Sequence, residues 1–317
     1  MYSPHITAAS SAQGWVSALF SHRPVMLHAS LAGLALQPAG VYVDATFGRG
    51  GHSRAILEQL GAQGVLHAFD RDPQAVDAAQ ELAAEDSRLQ FHRSCYSEMG
   101  ERITRPVDGV LFDLGVSSPQ LDQAERGFSF SKDGPLDMRM DPTTGEPASA
   151  WLARADADEI ADVLFNLGDE RASRRIGRAI VNARGAQPLQ TTAQLAAVIE
   201  RALGGRRGRK IHPATRSFQA IRIHINQELE RVREGLAAAI KLLAPGGRLA
   251  VISFHSIEDR LVKRYLRDEA RSEQPLIKLR GKQFPEADES RDNPRARSAV
   301  LRLAERLPQQ FSGEGEA

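Results

Sequence analysis

Apolar positions in this chain fall into short runs that close on polar or acidic residues. Val41 to Val43 ends on Asp44, Val65 to Phe69 on Asp70, and Val107 to Phe112 on Asp113. Leu89 to His92, Arg248 to Ile252 and Ser298 to Ala304 are runs of similar length. Such runs, bounded by turn residues, predict buried strands. Between the first of them the spacing predicts helices, from Ser53 to Leu60 and from Asp72-Pro73 to about Ala84. Asp72 before Pro73 is the expected opening of the second helix. Alternating strand and helix is the pattern of an α/β fold with a mainly parallel sheet.

The pattern then changes. From Trp151 to Leu203 no strand is evident, and Ile160, Val163, Leu164 and Leu167 recur at helical spacing, as do Leu195, Val198, Ile199 and Leu203. This predicts an all-helical insertion over residues 121–211, between core segments at 21–120 and 212–317, after an extension at 1–20. In the second core segment, Thr215 to Leu243 reads as one or two helices, stopped by Ala244-Pro-Gly-Gly247. A strand to Ile252, a helix from Glu258 to about Arg271, a polar flexible segment from Ser272 to Arg297 and a final strand follow. Gln309 to Ala317 reads as a disordered tail.

The first run carries the chemistry. Asp44-Ala-Thr46-Phe-Gly48-Arg-Gly50-Gly51-His52-Ser53 is a strand end, a glycine turn and a helix start. Glycines there allow positive φ and close approach of backbone to a ligand, and the helix N-terminus offers free N–H groups. A dinucleotide loop needs G-x-G-x-x-G, and Ser53 stands where the third glycine belongs. The S-adenosylmethionine loop, an acid and then glycines at alternate positions, fits better, with Thr46 in the first glycine's place. Asp70 closes the second strand about 20 residues on, where an acid holds ribose hydroxyls. Tyr96 follows the third strand, where adenine could stack. Ligands of open α/β sheets bind outside the carboxyl ends of the strands, and three carboxylates end there here.

Composition narrows the class little further. The 317 residues are 42% hydrophobic, ample for a core, and no apolar run of membrane-spanning length occurs. Met1 to Phe20 lacks the features of a secretory signal, and the lone Cys95 suits a reducing cytoplasm. Net charge is only +1, against a strongly cationic RNA binder. Arginine is nevertheless clustered, at Arg171, Arg174, Arg175 and Arg178 and again through Arg201, Arg206, Arg207, Arg209 and Lys210. The first group suits a solvated face. The second, flexible and without acidic partners, is the better candidate for phosphate contact. His52 and His255 lack metal-ligand spacing, so no metal site is expected.

These residues carry a resemblance. Thr46 to Ser53, Asp70-Arg-Asp-Pro73, Asp113-Leu-Gly-Val-Ser-Ser-Pro-Gln120, Glu125 to Phe130, Asp133 to Asp141, His212 to Arg216, Ser253-Phe-His-Ser256 and Asn293 to Arg297 occur in order. Together they are similar to the bacterial RsmH (MraW) family, from about His22 to Arg306. The resemblance implies a class I S-adenosylmethionine-dependent methyltransferase with a Rossmann-like sheet and an inserted helical unit. It further implies action on the exocyclic N4 of a decoding-region cytidine in 16S rRNA, in the small ribosomal subunit or its late precursor. A homodimer is compatible with it. It assigns the cofactor to Gly48, Gly50, Gly51, His52 (through its backbone N–H), Asp70, Tyr96, Asp113 and Gln120. Cytosine N4 is a weak nucleophile that benefits from a hydrogen-bond acceptor. Other amino-methyltransferases supply one from an Asp/Asn-Pro-Pro-aromatic sequence after strand four. Here Asp113-Leu-Gly-Val stands in that place, so Asp113 either supports the amine or binds the adenosine moiety. Phe254, Phe128 and Phe130 are candidates for stacking the base. Asp137, with Arg139 and Asp141, either faces the base or ties down the insertion. A nicotinamide oxidoreductase and a non-catalytic assembly factor remain alternatives from other classes.

Overall fold

The computed structural model describes residues 24–206, 208 and 211–308. The extension at 1–20, the tail from Gln309, and Arg207, Arg209 and Lys210 lie outside the described residues. Seven strands form one sheet in the order β3-β2-β1-β4-β5-β7-β6. They are β1 Val41–Asp44, β2 Val65–Phe69, β3 Leu89–His92, β4 Val107–Asp113, β5 Leu243–Ser253, β6 Ile277–Gln283 and β7 Val300–Arg306. β1 to β5 run parallel, and β7 enters antiparallel between β5 and β6. This is the sheet of class I methyltransferases, with the order reversing between β1 and β4.

Period-two alternation divides the strand side chains between two cores. Tyr42, Leu66, Leu111, Ala250 and Ile252 join one cluster with α1 (Leu27–Leu34), α2 (Gly51–Gln59) and α3 (Pro73–Glu85). Val43, Phe69, Val110, Phe112, Leu249 and Val251 join the other. Burial on both faces is why the strands read as near-continuous apolar runs.

A short α4 (Met99–Arg102) precedes β4; between β4 and β5 the regular elements are helices, beginning with α5 (Ser118–Asp122). Then come α6 Ala148–Arg154, α7 Ala157–Gly168, α8 Ser173–Ala186, α9 Thr192–Ala202, α10 Thr215–Asn226 and α11 Glu228–Leu242. The two apolar stripes in the sequence fall on α7 and α9, inside a third core built around Trp151, Ile160, Leu164, Ile176 and Leu195. Phe218, Ala220 and Ile221 of α10 join that helical core, whereas α11 packs on the sheet through Val232, Leu236 and Ala239. The chain switches partner at Gln227, a non-glycine residue in the left-handed region at φ 50°.

Two expectations are corrected. β5 runs straight through Ala244-Pro-Gly-Gly247 and pairs with β4 across a register shift between Val107 and Gly109, so the glycines bend a strand rather than precede one. The segment from Ser272 to Arg297 is not a flexible loop: it holds β6 and a helix, numbered α13 (Ala287–Asp292), after α12 (Ser256–Glu269). Only Ile277 of β6 is buried. An edge strand armed with Lys278, Arg280 and Lys282 carries little hydrophobic signal, and such charges block edge-to-edge pairing.

Trp151 anchors the helical core at 1% exposure, its indole N–H donating to Glu159 at 2.8 Å. Trp151→Ala should destabilise the protein by about 3–5 kcal/mol in urea unfolding. A loss under about 1 kcal/mol would show that the core around it collapses to fill the space.

Candidate active site

The loop from β1 to α2 is shaped by glycines. Gly48 and Gly50 have φ of 56° and 75°, values that a side chain at either position would strain. Gly50 is the N-cap of α2, and no side chain caps that helix, so its first N–H groups remain available to a ligand.

Hydrogen bonds stitch this loop to two other strand ends. The Gly48 N–H donates to Asp70 Oδ2 at 2.8 Å, and the Phe47 N–H to the Phe69 carbonyl at 2.9 Å. The Asp113 N–H donates to Thr46 Oγ1 at 2.7 Å. Ser53 Oγ donates to Asp44 Oδ2 at 2.7 Å, and Asp44 Oδ1 accepts the Thr46 N–H at 3.1 Å. Thr46 and Ser53 are the two departures from glycine-only loop patterns. Each contributes a hydroxyl that closes the loop, a role that sequence reasoning missed.

The electrostatics follow from burial. Asp44 is fully buried, and desolvation raises its pKa although Ser53, Thr46 and His52 oppose it. Asp70 is pushed up to about 6, mainly by burial and against the Asp72 and Gly48 N–H bonds. Its two oxygens accept those two N–H groups, and each keeps capacity for one more donor. His52 is 4% exposed, with Nε2 at 3.5 Å from Asp113 Oδ2. Burial lowers its pKa, but Asp113, Asp44 and Glu289 outweigh that and the net shift is upward. Both His52 ring nitrogens and Asp113 Oδ1 are buried without a protein hydrogen-bond partner. Orphaned polar atoms here, beside an uncapped helix N-terminus, fit a polar ligand and thus an S-adenosylmethionine-like molecule.

Asp72 does more than cap α3. Its Oδ1 accepts the Gln74 N–H, while Oδ2 accepts Gln120 Nε2 at 2.8 Å and Arg126 Nη1 at 2.9 Å. Gln120 Oε1 in turn accepts the Ser117 N–H at 2.9 Å, fixing the loop after β4. Asp72, Gln120 and Arg126 are all buried. Arg126 was not singled out as a site residue; only its neighbourhood in the family-like run Glu125 to Phe130 hinted at it. A shallow, solvent-open recess lies over this network, lined by Gly48, Asp70, Asp72, Ser117 and Gln120 among others.

The remaining candidates are placed as follows. Tyr96 sits on a 3₁₀ turn with its ring edge-on to Phe112 at 5.4 Å, and α11 approaches so closely that a Cβ on Gly235 would lie 2.6 Å from that ring. Phe254 follows β5, half-buried, and a Cβ on Gly115 after β4 would lie 3.7 Å from its ring. Phe254 and Asp113 thus end neighbouring strands. Phe128 and Phe130 are taken up by packing: Phe128 is buried beneath Arg126, and Phe130 lies edge-on to Phe218 in the helical core. Phe254 also packs, against the core that Tyr42 and Ile252 join, but it lies at the strand-end edge beside Gly115, which keeps it as the stacking candidate. Asp137 is gripped by Arg139 through Nε at 2.9 Å and Nη2 at 2.7 Å. Burial would raise it, but the fork holds it below the usual carboxylate range. Asp141 accepts the Thr143 N–H and hydroxyl. His255 caps α12, and His212 stacks on Phe130. Arg206, expected to lack an acidic partner, pairs with Glu200 at 3.3 Å.

Sheet order, glycine loop and strand-end carboxylates define an S-adenosylmethionine-dependent methyltransferase of class I. The family model of MraW methylases matches residues 19–307. A protein named Ribosomal RNA small subunit methyltransferase H from Pseudoalteromonas atlantica is 52% identical over 308 residues, covering 90% of this chain and 98% of that protein. Its namesake from Thioalkalivibrio sulfidiphilus is 53% identical with the same coverage. Among solved structures, an rRNA methylase from Streptococcus thermophilus aligns at TM-score 0.44 and 13% identity, over 91% of this chain and 99% of that one. The chain belongs to the MraW methylase family.

Desolvated at the floor of the recess, the half-buried Asp70 carboxyl should titrate in carbon NMR with a midpoint near pH 6 in the free protein. A midpoint at the ordinary aspartate value of about 4 would contradict the packing at the end of β2.

Proposed function

We propose that this protein transfers a methyl group to the exocyclic N4 of a decoding-region cytidine in 16S rRNA, on the small ribosomal subunit or its late precursor. The observation that carries the reading is convergence: Gly48 after β1, Asp70 after β2 and Gln120 after β4 line one recess. The relatives' names point to small-subunit ribosomal RNA, and the cytidine and its N4 come from the family resemblance of the sequence. A cytoplasmic setting fits the lone, unpaired Cys95. Among the described residues no helix is long and apolar enough to cross a membrane.

In this reading Gly48, Gly50, Gly51 and the His52 N–H cradle the methionine end of the cofactor. Asp70 accepts the ribose hydroxyls, and Tyr96 walls the adenine side. Gln120 is held by Asp72 and Ser117 so that its loop closes the recess. When bound, the cofactor supplies an electrophilic methyl group on a sulfonium. The work left to the chain is to place an amine in line with that methyl and to accept hydrogen-bond density from it. Phe254 is assigned to stacking the base. Asp113, with Oδ1 free, is assigned primarily to the adenosine side, since the proline pair and aromatic of a catalytic strand-four site are missing. Asp137, committed to Arg139, holds the 137–145 loop beneath the base site.

The helical segment 121–211 is proposed as the RNA-recognition part. Arg171, Arg174, Arg175 and Arg178 are exposed on or beside α8. Arg206, Arg207, Arg209 and Lys210 add charge at the segment's end. A second copy of the chain as partner is compatible with this reading.

Single-turnover methyl transfer to undermethylated small subunits, with digestion to nucleosides, tests the reaction. The expected product is N4-methylcytidine at one site; a product methylated elsewhere overturns the substrate assignment. Asp113→Asn should weaken cofactor binding first, with the rate recovering at saturating cofactor. Normal affinity with a rate reduced more than about a hundredfold would move Asp113 to the target amine. Neutralising Arg206, Arg207, Arg209 and Lys210 together should flatten log K against log salt for RNA binding by roughly 3 units. An unchanged slope would remove that segment from the interface.

A further inference from the structure

Beside Phe254 lies a buried charged cluster drawn from α10, α11 and α12. Arg222 donates from Nε and Nη2 to the two oxygens of Glu228, each at 2.8 Å. Glu258 is 2% exposed, and its Oε1 stands 3.0 Å from His255 Nε2 and 3.9 Å from Arg222 Nη2. Its other oxygen, Oε2, accepts the Phe254 N–H at 3.1 Å. His255 Nδ1 accepts the Glu258 N–H at 3.3 Å, which places the imidazole proton on Nε2, facing the carboxylate. Burial would raise the Glu258 pKa, but His255 and Arg222 outweigh it and keep the group ionised.

A buried charge cluster is a poor device for stability alone, since apolar groups of equal volume often serve as well. Its placement suggests another use. Arg222 sits on the helix that packs into the helical core, whereas Phe254 directly follows β5 and Glu258 lies in the first turn of α12. From the Arg222 carbonyl the connection continues through Asn226, whose amide donates to Arg222 O and Met138 O at 2.9 and 2.7 Å. Asn226 Oδ1 accepts the Met140 N–H at 2.8 Å, and Arg126 joins the Met140 carbonyl to Asp72 with two bonds of 2.9 Å. Phe254 and the wall of the cofactor recess are therefore held by one polar framework that crosses between the helical core and the sheet.

We propose that Arg222, Glu228, His255 and Glu258 are positioning residues for methyl transfer. They fix the backbone of Phe254, and with it the stacked base, against the cofactor recess. The proposal rests on the reading that Phe254 stacks the target base. None of the four need touch substrate.

His255→Asn tests it, because Asn still caps α12 through its side-chain oxygen but has no Nε2–H to offer Glu258. Taking a donor from a buried carboxylate should lower the melting temperature, but the variant should stay folded at the assay temperature and keep its affinity for S-adenosylmethionine. Its single-turnover rate, with cofactor and undermethylated subunits both saturating, should fall about tenfold or more. Arg222→Lys, which keeps the charge and loses the fork, should show the same split, and it stands in if His255→Asn misfolds. A double-mutant cycle with Phe254→Leu identifies the route: the rate loss from His255→Asn should vanish in the Phe254→Leu background. A folded His255→Asn protein with the wild-type rate overturns the proposal, as do losses that simply multiply. A Phe254→Leu protein with the wild-type rate instead overturns the stacking reading itself, so the two failures are distinguishable.

Discussion

Three strand ends held together by hydrogen bonds are the constraint on which the site depends. The Gly48 N–H bonds the carboxylate that ends β2, and the hydroxyl of Thr46, after β1, receives the N–H of the residue that ends β4. A glycine turn in isolation would sample many shapes, since glycine gives up more backbone freedom on ordering than any other residue. Two bonds from neighbouring strands remove that freedom before a ligand arrives. Parallel strands make this possible because their carboxyl ends share one edge, and the order reversal between β1 and β4 opens a crevice there.

The same economy governs the charged groups. Asp70 accepts two backbone N–H groups and keeps capacity to accept more, while Asp72, two residues on, already accepts three donors, from Gln74, Gln120 and Arg126. Two acids in one short turn are thus divided between ligand and scaffold by what already fills their lone pairs. Asp137 likewise belongs to the scaffold, its oxygens turned to Arg139.

Much of this was legible in the residues. Buried parallel strands announce themselves as apolar runs, and the acid closing each run marks the ligand edge, so Asp44, Asp70 and Asp113 could be named before any fold was known. The helical stripes through Ile160 and Leu195 were equally plain. What escaped has physical causes. β6 is an exposed edge in which one residue, Ile277, is buried, so its periodicity is hidden by lysine and arginine. The break at Gln227 uses neither glycine nor proline. The aromatics Phe128 and Phe130 could not be told from Phe254 by sequence, since stacking and core packing ask for the same side chain. Arg126, Arg222 and Glu258 were missed because a buried ion pair between distant segments leaves no local pattern.

The central claim is that the strand-end carboxylates and the glycine loop hold the methyl donor. Calorimetric titration of S-adenosylmethionine into the wild-type protein and into Asp70→Ala tests it most directly. Charge-assisted bonds to the ribose are worth roughly 1.5–3 kcal/mol each, so the account predicts affinity weakened at least about tenfold, with folding retained. Unaltered affinity in a folded Asp70→Ala protein would contradict it.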